Sequence, residues 1–244
     1  MTDRPGKRLF VGARISVATA NTLAGCAETL ARRARDAGVE LRWVAPANYH
    51  VTLAFLGWTG VETVGPICDA LAAACAGEPR LTIRTSRLGA FGSLDKATVL
   101  WAGIEEPAAL TRLAGAVAEA MAGLGFARDA RPYHPHVTIA RLREARAIRD
   151  VVLPMAEQMF GDTRIDAVTL FESETKSNGS VYSEVAKIAF QKAPNSPAER
   201  EKRQTGALEP GPRDHHGTWQ HGSRHQPDET LTDDGWPRGQ GPID

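Results

Sequence analysis

Two stretches of this chain carry the same pair of reactive side chains at the same spacing. Residues 50–57 read His-Val-Thr-Leu-Ala-Phe-Leu-Gly, and residues 136–143 read His-Val-Thr-Ile-Ala-Arg-Leu-Arg. His50 and His136 suit proton transfer near neutrality, because an unperturbed imidazole titrates at about 6.5. Thr52 and Thr138 each add a hydroxyl two positions on. One imidazole can take a proton from an attacking water while the other gives one to a departing oxygen, if the two stand on opposite sides of the reacting atom. Opening a cyclic phosphodiester needs that pair, with hydrogen-bond donors aimed at the non-bridging oxygens, which the threonines supply. The scheme uses no metal, and no carboxylate–histidine ligand cluster accompanies either motif. A lone strand histidine most simply satisfies a backbone carbonyl. A packing histidine has no reason to recur with its threonine, so the repetition favours chemistry.

The repeat must be held by strands. Residues two apart on a strand share a face. His50, Thr52 and Ala54 are therefore expected on one side, with Val51, Leu53 and Phe55 opposite them in a core. In the second copy His136, Thr138 and Ala140 share a face, opposed by Val137 and Ile139. Each copy follows a short approach, Asn48-Tyr49 in one and Pro132-Tyr133-His134-Pro135 in the other. A recurring block suggests an internal duplication. The expectation is an α+β fold of two pseudo-symmetric lobes, each an antiparallel sheet with helices outside, around a central cleft.

Around the motifs, Leu9–Ile15 and Leu41–Val44 read as strands, and Gly57 and Gly60 as breaks in the first motif strand. Leu23, Ala27, Leu30 and Ala34 keep helical spacing over residues 19–36, with Gly38 as the stop. A second helix is expected over 62–75, and strands over 81–86 and 97–102 about a loop or hairpin at 89–95. Pro107 sits where a first helical residue belongs, ahead of the Leu110, Leu113, Val117 and Met121 stripe. Pro154 divides the next helical stretch into two short pieces. Strands Arg164–Phe171 and Val181–Phe190 then flank an Asn178-Gly179 turn.

Lys+Arg and Asp+Glu both number 29, so no basic excess advertises avid nucleic-acid binding. A small RNA terminus needs only a local pocket. Cys26, Cys68 and Cys75 are odd in number and form no CxxC pair, which reads as apolar filling in a reducing compartment. No run of 18 or more apolar residues and no secretory segment is present, so a soluble cytoplasmic protein is expected. Residues 1–192 read as the folded domain and 193–244, rich in Pro, Gly, Gln and charge, as a disordered tail. The tail's His215, His216, His221 and His225 lack the cysteines and spacing of a zinc module.

The paired motifs resemble the HxTx motifs of the 2H phosphoesterase superfamily, and more nearly its RNA 2′,3′-cyclic phosphodiesterase branch, historically called 2′-5′ RNA ligase. Arg8-Leu9-Phe10-Val11, Leu41-Arg42-Trp43-Val44, Val99-Leu100-Trp101-Ala102-Gly103, Arg131-Pro132-Tyr133 and Val168-Thr169-Leu170-Phe171-Glu172-Ser173 also fit, so the resemblance covers roughly residues 8–191. It implies a bilobal fold and metal-independent hydrolysis of an RNA 2′,3′-cyclic phosphate to a 2′-phosphomonoester, with no cofactor. It also implies that His50 is the proton donor, His136 the acceptor, and Thr52 and Thr138 the phosphate-binding threonines. From sequence alone the two histidines are equivalent.

Arg141, Tyr133 and Phe10 are further pocket candidates. Strict alternation points Arg141 away from His136 unless a bulge re-aims it. Tyr133 and Phe10 can stack on a base or serve as ordinary core aromatics. His134 shares the parity of His136 but sits between prolines, as a turn residue does. The alternative readings are a phosphodiesterase or reversible ligase for other small cyclic or 2′-5′ linked nucleotides, and a non-catalytic RNA-end-binding module. RNA 3′ ends or small cyclic nucleotides are the expected partners, and a monomer is the expected state.

Overall fold

The repeated motif forms two equivalent strands of one curled antiparallel sheet. The computed structural model describes residues 6–176 and 179–190, all within one compact unit, Met1–Ser196. The strands are β1 (Gly6–Arg14), β2 (Arg42–Trp43), β3 (His50–Gly60), β4 (Leu81–Phe91), β5 (Ala97–Glu105), β6 (His136–Arg146), β7 (Met159–Ile165), β8 (Ala167–Lys176) and β9 (Gly179–Ala189). Helices α1 (Val17–Asp36), α2 (Val64–Cys75), α3 (Ala108–Gly123) and the single turn α4 (Arg149–Val152) lie between them. The sheet order is β7-β4-β5-β6-β3-β1-β8-β9, with β2 beside β6. The sheet has two four-stranded halves, β3-β1-β8-β9 and β6-β5-β4-β7, and each is bordered on the inside by a His-x-Thr strand. A single antiparallel bridge, Val51 opposite Val137, joins them.

Apolar burial dictates which face looks inward. Leu9, Val11 and Ala13 of β1, Val51 and Leu53 of β3, and Val137 and Ile139 of β6 share one core with Leu23, Leu71 and Leu113 of the three long helices. Burying each large aliphatic side chain contributes about 1.5–3 kcal/mol. A one-residue slip of β3 or β6 would expose these valines and bury the histidines, so register is strongly specified. The helices also tie the halves together. Helix α1 packs on β7 of the opposite half and α3 packs on β3. At the start of α1, Ser16 Oγ accepts from Thr19 N (3.2 Å), and Ser16 N donates to Thr163 Oγ1 of β7 (2.9 Å).

Alternation fails at the same place in both motifs. Pairing of β1 with β3 steps over Leu53, from Gly12–Thr52 to Val11–Ala54, and pairing of β5 with β6 steps over Ile139, from Trp101–Thr138 to Leu100–Ala140. An extra residue three past each histidine is a β-bulge, which reverses the facing of the side chains beyond it. Ala140 consequently joins the core and Ala54 packs against it, rather than sharing the histidine face. Phe55, expected in the core, is 67% exposed, and Leu56, the extra residue of a second bulge, is buried in its place.

Other boundaries shift for local reasons. Gly57 adopts a φ of 72° and accommodates the second bulge without ending β3. Residues 164–171 do not form one strand: Asp166 turns the chain between β7 and β8, hidden within the apolar run Ile165, Ala167 and Val168, and its carbonyl accepts from Phe190 N (2.7 Å). Strand β4 extends through Phe91, which shortens the connection to β5 to residues 92–96. Pro107 caps α3 instead of opening it. The stretch at Pro154 does divide, into α4 and a 3₁₀ turn, Leu153–Met155. Cys26 and Cys75 are buried and Cys68 is half-buried, all three as free thiols, and burial pushes the first two up to about 11. Ser177, Asn178 and the expected tail, with its four histidines, lie outside the described residues.

Gly12 is where β1 lets the first motif in. A Cβ there would lie 2.8 Å from Val51 O and 3.3 Å from His50 Cδ2, and the nearer neighbour is backbone that cannot give way. Gly12→Ala is expected to lower stability by about 1–3 kcal/mol through overpacking, read as a reduced urea midpoint with an unchanged m-value.

Candidate active site

The bridge at Val51–Val137 turns both valines to the core and leaves His50, Thr52, His136 and Thr138 together on the opposite face, all four half-buried. Antiparallel register about that bridge sets His50 towards Thr138 and Thr52 towards His136. Each ring is then oriented by the same device. His50 Nδ1 donates to Asn48 O at 2.6 Å, and His136 Nδ1 donates to His134 O at 2.7 Å. A carbonyl two residues back can only accept, so it fixes the proton on Nδ1 in the neutral ring and leaves Nε2 as the working nitrogen. His50 Nε2 already lies 3.1 Å from Thr52 Oγ1.

Neither imidazole holds its second proton easily. His50 is pushed down to about 4, chiefly by burial and further by the Arg14, His136 and Arg141 charges, against the support of the Asn48 carbonyl. His136 is lowered too, by burial first and then by His134 and Arg141, with its backbone hydrogen bond opposing. Arg141 bears on both imidazoles and Arg14 on His50, with Glu184 offsetting Arg14 alone, so the cleft attracts an anion.

Arg141 belongs to this cleft because of the bulge at Ile139. It is exposed, whereas its neighbours Ala140 and Leu142 are buried, and its charge reaches both imidazoles. Arg14 is paired with His50 across β1 and β3. Its guanidinium lies 4.9 Å from the Phe171 ring centroid and donates to Glu184 Oε1 (2.7 Å) and Ala47 O (2.6 Å). The register equivalent beside His136 is Gly103. The pseudo-symmetry is broken there.

Aromatic walls back each histidine. On one side Phe10 stands 4.8 Å and Tyr182 5.3 Å from the His50 ring, with Phe171 5.0 Å from Phe10. On the other, Phe91 meets His136 edge-on at 4.8 Å, and His134 leans on Trp101 at 4.8 Å. Phe10 is therefore a buried support of His50, not an open base platform. Tyr133 has a structural role, its hydroxyl donating to Thr52 O at 2.9 Å, so the approach to one motif braces the other. His134 lies 6.1 Å from His136 and faces the cleft aromatics, beyond its expected part in a turn.

Sequence reasoning missed Arg14, Phe91 and Tyr182. The first was legible: Phe10, Gly12 and Arg14 alternate with the core residues Leu9, Val11 and Ala13. The other two come from strands β4 and β9, whose neighbours only the sheet order reveals. Among the described residues, no group of three or more His, Cys, Asp or Glu side chains could hold a metal ion, and no helix is long and apolar enough to cross a membrane.

This arrangement of two His-x-Thr strands in a curled antiparallel sheet is that of a known class. Residues 24–177 match the model of the 2′-5′ RNA ligase superfamily, and the chain belongs to that family. It is 38% identical over 123 residues to an RNA 2′,3′-cyclic phosphodiesterase of Geobacillus stearothermophilus, covering 49% of this chain and 39% of that protein. With the enzyme of the same name from Archaeoglobus fulgidus it shares 32% identity over 143 residues, covering 58% of this chain and 80% of the relative. A crystal structure from Thermus thermophilus superposes with a TM-score of 0.64 at 25% identity, over 75% of this chain and 97% of that one. Escherichia coli LigT complexed with 3′-AMP has the same fold, with a TM-score of 0.60 at 24% identity over 77% of this chain and all of its own.

The charge arrangement predicts an anion-dependent titration. In the free protein His50 is expected to stay neutral until about pH 4. An anion between Arg14 and Arg141 offsets the cations that disfavour imidazolium, so inorganic phosphate should raise the His50 pKa. Proton NMR of the imidazole resonances, assigned with His50→Gln, checks this. A titration that phosphate leaves unmoved contradicts it.

Proposed function

We propose that this chain is an RNA 2′,3′-cyclic phosphodiesterase that opens the cyclic phosphate at an RNA 3′ end to a 2′-phosphomonoester by paired-histidine catalysis. The observation that carries the reading is the matched orientation of His50 and His136, each fixed at Nδ1 by the carbonyl two residues back, on strands that cross at Val51–Val137. Relatives named for this activity support the reaction class. Residues 1–192 carry the activity, with no metal and no cofactor.

The proton inventory closes with these two residues. Water attacks phosphorus in line with the 3′-oxygen and gives a proton to His136 Nε2. The phosphorus–O3′ bond breaks, and His50 Nε2–H protonates the leaving oxygen, which becomes the 3′-hydroxyl. Thr52 and Thr138 hydroxyls and the Arg141 guanidinium hold the non-bridging oxygens, whose charge they oppose more strongly as the transition state forms. His50 acquires its proton as the phosphate anion enters, because an adjacent negative charge favours imidazolium against the burial, and secondarily the nearby cations, that hold its pKa down in the free protein.

The test is hydrolysis of a short RNA ending in a 2′,3′-cyclic phosphate, in excess chelator, with the product assigned by phosphorus NMR. A 2′-phosphate is expected. His50→Ala and His136→Ala are each expected to lower kcat by about 10²–10⁴-fold, and Thr138→Ala by about a hundredfold. Retained RNA binding without turnover in the intact protein would instead indicate an end-binding module.

A further inference from the structure

The two bulges place different chemistry at equivalent positions. Five residues after His136 stands Arg141, and five after His50 stands Phe55, each re-aimed by the extra residue after its threonine. Phe55 lies 6.3 Å from Phe10, which itself lies 4.8 Å from His50. Its ring is one step outward from the reacting centre along the same face. Trp58 continues the row. Its indole lies over Gly6, where a Cβ would be 2.5 Å from Nε1, and it is paired across the strands with the exposed Arg8.

Phe55 and Trp58 are 67% and 73% exposed. Exposure of two large aromatics on one strand costs solvation that a purely structural role would avoid. Aromatic faces interleaved with arginines are a sequence-tolerant surface for single-stranded nucleic acid, where bases stack and guanidinium groups meet phosphates.

We propose that Phe55 and Trp58, flanked by Arg8, bind the nucleobases of the nucleotides that precede the terminal one and make the protein select RNA chains over cyclic mononucleotides. The inference rests on the proposed RNA-end activity and adds its substrate length. Continuity with the histidine cleft favours RNA as occupant, since Arg141 anchors the phosphate at one end of the path and Arg8 meets the backbone at the other.

The experiment compares kcat/KM for a short oligoribonucleotide ending in a 2′,3′-cyclic phosphate with that for cytidine 2′,3′-cyclic phosphate. The intact protein is expected to favour the oligonucleotide, and the Phe55→Leu/Trp58→Leu variant to lose about tenfold of that ratio for each stacked base. Trp58→Phe, which keeps a π face, should restore most of it. An unchanged ratio in the leucine variant, or a parallel fall on both substrates, overturns the proposal. Tryptophan quenching by an oligoribonucleotide ending in a 2′-phosphate, lost in Trp58→Phe, reads the platform without turnover. A protein that hydrolyses neither substrate yet shows that quenching loses the catalytic reading and keeps the platform. Sedimentation supplies the remaining outcome: a dimer that dissociates in the leucine variant would assign the face to a second copy and overturn the RNA proposal.

Discussion

The crossing of β3 and β6 at one bridge is the constraint on which the rest depends. Val51 and Val137 must both be buried, so the four polar residues of the two motifs must all emerge on the far side, close to one another. The strands diverge immediately afterwards, since only this one residue pair is bridged. A longer ladder would close the space between the motifs. The exchanged helices resist separation, α1 on the far half and α3 on β3, so the crossing is held from behind by the core.

Around that crossing the molecule is symmetric in orientation and asymmetric in charge. Both histidines use the same carbonyl tether, and both threonines sit one bulge short of a re-aimed side chain. Yet Arg14 stands beside His50 where Gly103 stands beside His136, and Phe55 replaces Arg141. The repeated motif supplies two matched imidazoles. The differences between the copies supply direction: which end of the cleft is cationic, and where an aromatic surface leads away. Burial and nearby cations disfavour imidazolium at both rings without an anion, so under the proposed mechanism the substrate itself arms the acid.

Much of this was legible in the sequence. The His-x-Thr pairs can be read from their repetition, and the core faces of β1 and the three long helices from apolar period, because burial energy enforces that period. The bulges cannot, since an extra strand residue leaves no compositional mark, and so Phe55, Ala140 and the direction of Arg141 could not be read correctly. Asp166 was hidden for a related reason: its turn is flanked by residues that are apolar on both sides. Phe91 and Tyr182 reach the site only through a strand order that no local pattern encodes.

The central claim is that His50 and His136 act on opposite sides of one phosphorus, the first protonating the leaving group. A cyclic substrate with sulfur in place of the bridging 3′-oxygen tests it most directly, because a thiolate leaves without being protonated. The account predicts that this substrate restores much of the lost rate to His50→Ala and little to His136→Ala. Equal restoration in both variants, or restoration in His136→Ala alone, would contradict it.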